Sequence, residues 1–353
     1  MQNFTYTGLP ARVLFGTGTT SLLPAEVERL ACRKALVLTT EAQAALGRYL
    51  CDLLGPISAG LFPGAAMHTP VEVTDAAVIQ YRDSGADCVV SIGGGSTIGL
   101  GKAIALRTDA PQIVLPTSYA GSEMTPIIGQ TDGGKKTTQT TLKVLPETVI
   151  YDVTHTLTLP PLMTVTSGMN ALAHAVEALY AEEANPVLSL MAEDGIAKLT
   201  EALERVRDTP QDTGARSDAL YGAWLCAVCL GSGGVALHHK LCHVLGGSFD
   251  LPHAETHTVM LPHALAYNAP AVPDVMEALR RATGSQTPAA AFFDISSAAG
   301  APTALRDLGM PEDGIERAVE IALDKPYYNP RDVDAEGLRS VFRAAWQGAR
   351  PDA

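Results

Sequence analysis

The sequence contains no run of lysine or arginine and no long apolar run. Its formal net charge is −13, so it offers no basic patch to a nucleic acid or to an anionic membrane surface. The first residues, MQNFTYTGLPARVLFGTG, lack the apolar segment of a signal peptide, and no later segment is long enough to span a bilayer. We therefore expect a cytoplasmic protein that binds neither nucleic acid nor membrane.

Cysteine is sparse, and internal repeats and low-complexity tracts are absent. Six cysteines are scattered along the chain, a pattern that suits a reducing compartment. Only Cys226 and Cys229 form a C-x-x-C pair, and no second pair follows at zinc-finger spacing. Because free cysteine usually packs as a small hydrophobic residue, we interpret this pair as part of a core helix.

The length and composition describe a well-folded globular chain. It has 353 residues, of which 46% are hydrophobic and 18% charged, enough for roughly two domains. Residues 1–155 alternate short apolar strands with helical segments, which predicts an α/β domain with a parallel sheet covered by helices on both faces. The predicted strands lie in KALVLTT (34–40), ISAGLF (57–62), DCVVSIGGGS (87–96), QIVLPTS (112–118) and around VIYD (149–152), with a hairpin in TDGGKKTTQTT.

After residue 155 the pattern changes to long segments with helical periodicity. They include SGMNALAHAVEALYA, PVLSLMAEDGIAKLTEALERV and SDALYGAWLCAVCLG, which predict a second, all-α domain over residues 156–353. The Pro-rich NAPAVPDV and the small-residue run 284–302 are interpreted as connections between helices.

Two glycine and hydroxyl loops follow predicted strands in the first domain. SIGGGSTIGLGK opens a helix, where backbone N–H groups can hold a phosphate, although its spacing matches neither G-x-G-x-x-G nor the P-loop. PTSYAGSEMTP is the second loop. Two such loops at the carboxyl ends of strands indicate a dinucleotide site. Its candidate residues are Gly93, Gly94, Gly95, Ser96, Thr97, Thr117, Ser118, Gly121 and Ser122.

Histidines are concentrated in the second domain. Asn170 and His174 stand four apart in a helical segment, so they share one helix face. Further on, HHKLCHVLGGSFDLPHAETH brings together five of the nine histidines of the chain: His238, His239, His243, His253 and His257. Such density favours a functional site over ordinary core or surface histidines. It suggests a metal site, except that an amide stands where a cation would prefer a carboxylate.

These motifs together resemble the iron-containing alcohol dehydrogenase family, in order from FGTG (15–18) to AYN (266–268). The resemblance implies a dinucleotide-binding α/β domain, an all-α C-terminal domain, the dehydroquinate synthase-like fold and a homodimer. In that family a D-x-x-x-H pair and two further histidines hold the metal. The matching positions here are Asn170, His174, His239 and His253, with His243 as the non-ligand member of an H-x-x-x-H pair.

Departures from the family pattern resemble one branch, the maleylacetate reductases. Gly99 replaces the acidic residue of the usual cofactor loop, Asn170 replaces the aspartate, and YAGSEMTP and a C-terminal YNPR accompany them. The resemblance implies reduction of maleylacetate to 3-oxoadipate with NADH or NADPH, during breakdown of aromatic compounds, without a metal. If a metal were bound, its ligands would be His174, His239 and His253.

The chemistry of an enone gives a reason for the amide. Hydride can add to the alkene carbon β to the ketone, and the charge that reaches the ketone oxygen can be held by imidazole donors. We expect His243 or His253 to protonate the α carbon. The substrate is a dianion, for which Lys102, Lys143 and His257 are candidate partners. The neutral Thr40 at the end of the first strand predicts use of both cofactors.

Three other functions remain open. A metal-dependent alcohol or aldehyde dehydrogenase on the same fold would contain iron or zinc and lose activity with a chelator. A dehydroquinate synthase-like or glycerol-phosphate dehydrogenase activity would use the same cofactor class, but those relatives lack GLGK and YAGSEMTP. A catalytically silent nucleotide-binding protein would bind NADH without turnover.

Overall fold

The structure is a computed structural model that describes residues 4–353; residues 1–3 of the first predicted domain lie outside the described range. The chain divides into two compact units. One is Gly8–Leu159, and the other is Pro160–Ala353 together with the described residues before Gly8. The α/β unit thus extends to Leu159, beyond the boundary that the sequence placed at residue 155.

The strands of the α/β unit are β1 (Arg12–Gly16), β2 (Ala35–Leu38), β3 (Ser58–Phe62), β4 (Cys88–Gly93), β5 (Gln112–Pro116), β6 (Ile127–Asp132), β7 (Lys135–Thr140) and β8 (Thr148–Asp152). Six of them form a parallel sheet in the order β1-β8-β5-β4-β2-β3. The other two, β6 and β7, form a separate antiparallel hairpin.

Helices cover both faces of this sheet because successive side chains of a strand point to opposite sides. In β2, Ala35 and Val37 belong to one apolar cluster, which includes residues of α1 (Leu23–Arg29) and α2 (Ala44–Leu54). The alternate residues Leu36 and Leu38 belong to a second cluster, with α3 (Val71–Asp83) and α4 (Gly95–Thr108). The predicted parallel sheet with helices on both faces is confirmed.

The strand order reverses between β2 and β4. The chain passes from β2 outward to β3 and then returns to the other side of β2 to form β4. In open α/β sheets, ligands bind outside the carboxyl ends of the strands at such a switch point. The turns after β2 and β4 are therefore the expected walls of a nucleotide site.

The second unit is helical, as predicted. Its longer helices contain runs of buried apolar residues at helical spacing, and one apolar cluster joins the helices at its C-terminal end. The helices are α5 (Pro161–Ala178), α6 (Pro186–Asp208), α7 (Thr213–Ser232), α8 (Leu237–Phe249), α9 (His253–Asn268), α10 (Pro273–Thr283), α11 (Pro288–Ala298), α12 (Gly314–Leu323) and α13 (Ala335–Gln347). Cys226 and Cys229 lie buried in α7.

One prediction about the connections is confirmed and one was wrong. NAPAVPDV joins α9 to α10, whereas the small-residue run 284–302 contains α11. Each helix begins with a proline, Pro273 and Pro288. Proline suits a first helical position because the N–H that it lacks would have no helical partner there. Alanine, abundant in α11, has the highest helix propensity. The sequence also gave no indication of β1.

Within residues 4–353, no single helix is long and apolar enough to cross a membrane. In the same described range, one pair of helices meets the length and composition test together, α7 with α8, and it is bent by 90° at its break.

Candidate active site

The two glycine loops of the α/β unit lie side by side because β4 and β5 are neighbours in the sheet. Gly93 pairs with Pro116, and the N–H of Thr117 donates to the carbonyl of Gly93 at 3.1 Å. A Cβ atom on Gly94 would lie 2.9 Å from Oγ of Ser118, so glycine permits this close approach. Gly94 provides no side-chain cap to α4. The N-terminus of that helix therefore remains available to an anion such as a phosphate.

The predicted cofactor residues fall into two groups by burial. Buried members support the loops: Thr97 packs against Gly93, and the hydroxyl of Thr117 accepts a hydrogen bond from Nε2 of Gln43 at 3.0 Å. The other members have exposed surface that a ligand can contact. The buried group is Gly93, Thr97, Thr117 and Gly121; the accessible group is Thr40, Gly94, Gly95, Ser96, Ser118 and Ser122.

Lys102 does not have the substrate-binding role that the sequence suggested. Its side chain is fully buried, and Nζ donates to the carbonyl of Thr125 at 2.8 Å, its hydroxyl at 3.0 Å and the carbonyl of Ile127 at 2.8 Å. Burial lowers the pKa of Lys102 to about 7. The three donors of a lysine ammonium are all used inside the α/β unit, where Lys102 fastens the segment after the second loop to α4. The prediction that it meets a substrate carboxylate is wrong.

Lys143 lies on the surface of the α/β unit. It belongs to the 3₁₀ turn Leu142–Val144, its side chain is 59% exposed, and Nζ lies 3.3 Å from Oδ1 of the exposed Asp109. An ion pair this exposed contributes little to stability. A role for Lys143 toward the substrate stays a prediction.

Three helices of the second unit bring the predicted histidines together. α5 carries Asn170 and His174, which are 5% and 4% exposed. α8 carries the buried His239, and one turn later the exposed His243. α9 begins at the exposed His253 and carries the fully buried His257 one turn later.

The imidazole rings form one contiguous cluster. The ring centroids of His174 and His239 are 5.2 Å apart in a stacked arrangement, and those of His239 and His257 are 5.1 Å apart. His253 approaches His257 to 4.4 Å, and His243 lies 6.3 Å from His239. His238 also belongs, because its Nε2 lies 2.9 Å from Nδ1 of His257. The structure thus brings all the predicted histidines into one place.

Burial keeps three of these rings neutral. Burial is the main reason that the pKa values of His174, His238 and His257 lie well below the ordinary value, and the neighbouring rings of the cluster lower them further. Removing an ionisable group from water disfavours its charged form. His174, His238 and His257 are therefore neutral imidazoles at neutral pH, and the solvent-exposed rings are His243 and His253.

Glu177 is a member of this site that the sequence interpretation missed. Its carboxylate is fully buried and accepts from Nδ1 of His239 at 2.6 Å. It also accepts from the backbone N–H groups of Ala236 at 2.9 Å, His238 at 2.6 Å and His239 at 3.3 Å. A signal for it was present: Glu177 follows Asn170 by seven residues and His174 by three, which places all three on one face of α5.

Family models match most of the chain. A model described as iron-containing alcohol dehydrogenase matches residues 10–153, and a model of the C-terminal part of the same family matches residues 164–346. The chain belongs to the iron-containing alcohol dehydrogenase family.

Its relatives locate it more finely, within the branch of the maleylacetate reductases. It is 54% identical to maleylacetate reductase of Rhizobium sp. (strain MTP-10005) and 51% identical to that of Pseudomonas knackmussii (strain B13), each covering 100% of both chains. The crystal structure of maleylacetate reductase from Agrobacterium tumefaciens has a TM-score of 0.97 and 52% identity, over 99% of this chain and 100% of that one. The expected family and branch are confirmed.

The family name implies iron, but the side chains at the corresponding positions fit a cation poorly. Asn170 supplies no negative charge. Across residues 4–353, the groups of three ligand-type side chains with donor atoms within 4.8 Å of one another are His238, Cys242 and His257, and Cys32, Asp87 and Cys88. His174, His239 and His253 do not form such a group. Iron prefers carboxylate and imidazole ligands that converge on one point, and the carboxylate of Glu177 is already hydrogen-bonded to His239 and to α8.

Proposed function

We propose that this protein is a maleylacetate reductase, which reduces the C=C bond of maleylacetate to give 3-oxoadipate with NADH or NADPH. The observation that carries the proposal is the cluster of imidazoles around His239, with a neutral amide where the family expects a carboxylate. Identity above 50% over the full length to maleylacetate reductases supports the substrate. The reaction belongs to the bacterial breakdown of aromatic compounds.

The nicotinamide nucleotide is assigned to the carboxyl edge of the α/β sheet. Its pyrophosphate would lie at the N-terminus of α4, beside Gly94 and Ser118. Thr40, after β2, stands where an acidic side chain would repel a 2′-phosphate. Thr40 is neutral, so both NADH and NADPH are expected to serve.

The conjugated enone can accept a hydride at one end and the resulting negative charge at the other. A nicotinamide held beside Gly94 and Ser118 would supply a hydride to the alkene carbon β to the ketone, and the π electrons would pass to the ketone oxygen as an enolate. Donors near that oxygen stabilise the negative charge. The neutral amide of Asn170 can donate a hydrogen bond and, unlike a carboxylate, does not repel the enolate or the dianionic substrate.

A proton then completes the reaction at the α carbon. His243 and His253 are the exposed rings of the cluster, so either can exchange protons with water and deliver one. The balanced reaction consumes one maleylacetate, one NAD(P)H and one proton, and it yields one 3-oxoadipate and one NAD(P)⁺.

We propose further that the reaction needs no metal. The neutral Asn170 and the spread of the histidine donor atoms support this proposal. The competing function is a metal-dependent alcohol or aldehyde dehydrogenase, in which a Lewis acid polarises an isolated carbonyl. A catalytically silent nucleotide-binding protein would leave the cluster of imidazoles without a use.

The deciding measurement is NADH oxidation with maleylacetate before and after exhaustive chelation. We expect turnover to persist after chelation and a simple alcohol or aldehyde to be a poor substrate. Loss of turnover on chelation, with recovery when Fe²⁺ or Zn²⁺ is added, would reject the metal-free mechanism. NADH binding without oxidation would reject the reductase.

We also propose a cytoplasmic homodimer. Six free cysteines, four of them buried, support a reducing compartment, and closed two-fold dimers are the commonest oligomers of soluble enzymes. Light scattering of the purified chain would measure its mass against the 37.0 kDa of one copy.

A further inference from the structure

Glu177 is a buried carboxylate on a different helix from His239, the residue whose ring it contacts. It belongs to α5, whereas its hydrogen-bond donors among residues 4–353 belong to the first turn of α8 and the residue before it. We propose that Glu177 is the positioning residue for His239: it fixes the proton of that ring on Nδ1 and directs Nε2 toward the reacting enone. The expected effect on turnover rests on the proposed function. The hydrogen bond between Glu177 and His239, and the tautomer that it sets, do not.

The tautomer follows from the chemistry of the carboxylate. An ionised carboxylate can only accept hydrogen bonds, so the 2.6 Å contact between Glu177 Oε2 and His239 Nδ1 requires the hydrogen to be on Nδ1. Nε2 of His239 is buried and has no hydrogen-bond partner among the described residues. It is therefore the ring atom left for the substrate, toward which it turns a lone pair in the neutral ring and an N–H donor once the ring has taken up a second proton. A carboxylate that orients a histidine through its other nitrogen is a known device for setting both tautomer and direction.

Both oxygens of Glu177 are required. Oε2 accepts from Nδ1 of His239 and from the N–H groups of His239 and Ala236, while Oε1 accepts from the N–H of His238. A glutamine of the same shape would have to turn its NH₂ group toward one of these donors. Such a donor–donor contact in the interior leaves groups unsatisfied.

The same carboxylate fastens the helix that carries His239. α8 begins at Leu237 and receives no cap from the side chain of Ala236. Glu177 satisfies three N–H groups at that terminus, where negative charge is favoured by the helix dipole. The backbone and the ring of His239 are thus held by one group, which fixes Nε2 in both position and direction.

The first test is Glu177→Gln, with Glu201→Gln on the exposed face of α6 as the matched control. We expect kcat for maleylacetate to fall about 10²-fold in E177Q, the scale of a misplaced acid–base group. KM should change far less, because uniform binding is retained. NADH binding and the control should be unchanged. A kcat within about threefold of wild type, about half a log unit against the two expected, would overturn the proposal.

A double-mutant cycle separates positioning from general support. If Glu177 acts through His239, adding E177Q to His239→Ala should lower kcat little further, because residues that act as a unit are not additive. A further loss as large as that of E177Q alone would overturn the proposal, since Glu177 would then act independently of the ring. The cycle stays informative if E177Q lowers stability, because unfolding would also lower kcat in the H239A background.

A direct reading of the tautomer does not depend on turnover. In protein labelled with ¹⁵N-histidine, the ¹⁵N shifts and one-bond couplings should show His239 protonated at Nδ1, with H239A used to assign its signals. A hydrogen on Nε2 alone would overturn the inference. If maleylacetate proves not to be the substrate but Nδ1 is protonated, the proposed function fails and the positioning of His239 by Glu177 survives.

Discussion

Lys102 in the α/β unit and His239 in the helical unit are both buried polar residues inside predicted functional motifs, and they differ in what they leave unsatisfied. Lys102 directs three hydrogen bonds into its own unit. His239 uses Nδ1 to meet Glu177 and leaves Nε2 without a described partner. Buried polar groups are almost always hydrogen-bonded. An unpartnered ring nitrogen inside a cluster of titratable groups is therefore a candidate for function, whereas complete satisfaction indicates support.

The largest expected effect is on catalysis, at His239. Replacing it by alanine should lower kcat for maleylacetate about 10³-fold, within the range for acid–base and donor groups. The folded state and NADH binding should persist, because three bonds from Glu177 to the backbone remain. Steady-state kinetics with fluorescence titration of NADH would measure both. The matched control is His68→Ala, at an exposed histidine. An equal loss of kcat in H68A would contradict the catalytic role of His239.

Lys102 should show the opposite behaviour. Lys102→Met should lower the free energy of unfolding by about 3 kcal/mol, because the carbonyls of Thr125 and Ile127 would lose a buried donor. Urea unfolding would measure this change, and Lys136→Met in the exposed hairpin should stay within about 0.5 kcal/mol of wild type. If K102M kept its stability while kcat of the folded protein fell as far as in H239A, Lys102 would have a catalytic role. That result would contradict the contrast between Lys102 and His239.

Asn170 should have a smaller effect, and one that sharpens the argument about charge. Asn170→Asp adds a carboxylate beside His174, which should raise affinity for Fe²⁺ or Zn²⁺ and lower turnover about tenfold, a change of about 1.4 kcal/mol in the barrier. Metal analysis and kinetics of the chelated protein would measure both, with Asn170→Ala as the neutral control. Unchanged metal content in N170D would contradict our account of the amide.

Much of the fold could be predicted because its signals are local. Strands such as β2 and β4 are buried on both faces and appear as short apolar runs, and α5 has a strong helical period. β1 was missed because it is a half-exposed edge strand whose partner, β8, comes more than 130 residues later. No local pattern reports such a pairing.

The candidate site also has features that local spacing predicts and features that depend on tertiary contacts. The spacing of His239, His243 and His253 identified the cluster, but the role of Glu177 depends on α5 meeting the first turn of α8, which is a tertiary contact. Lys102 was misjudged for a similar reason, since a lysine that follows a glycine loop suggests phosphate or substrate binding until its buried partners are known. Residue type and spacing select candidates, and hydrogen-bond partners decide among them.

The placement of Glu177 gives α8 an unusual beginning. Amide hydrogens in the first turn of a helix normally exchange quickly with deuterium in the solvent, because they have no partner within the helix. Here those of Ala236, His238 and His239 are held by an interior anion. The terminus that presents the reactive ring should therefore be among the slowest parts of α8 to take up deuterium, and a chain that opens there would lose its reactivity at the same moment.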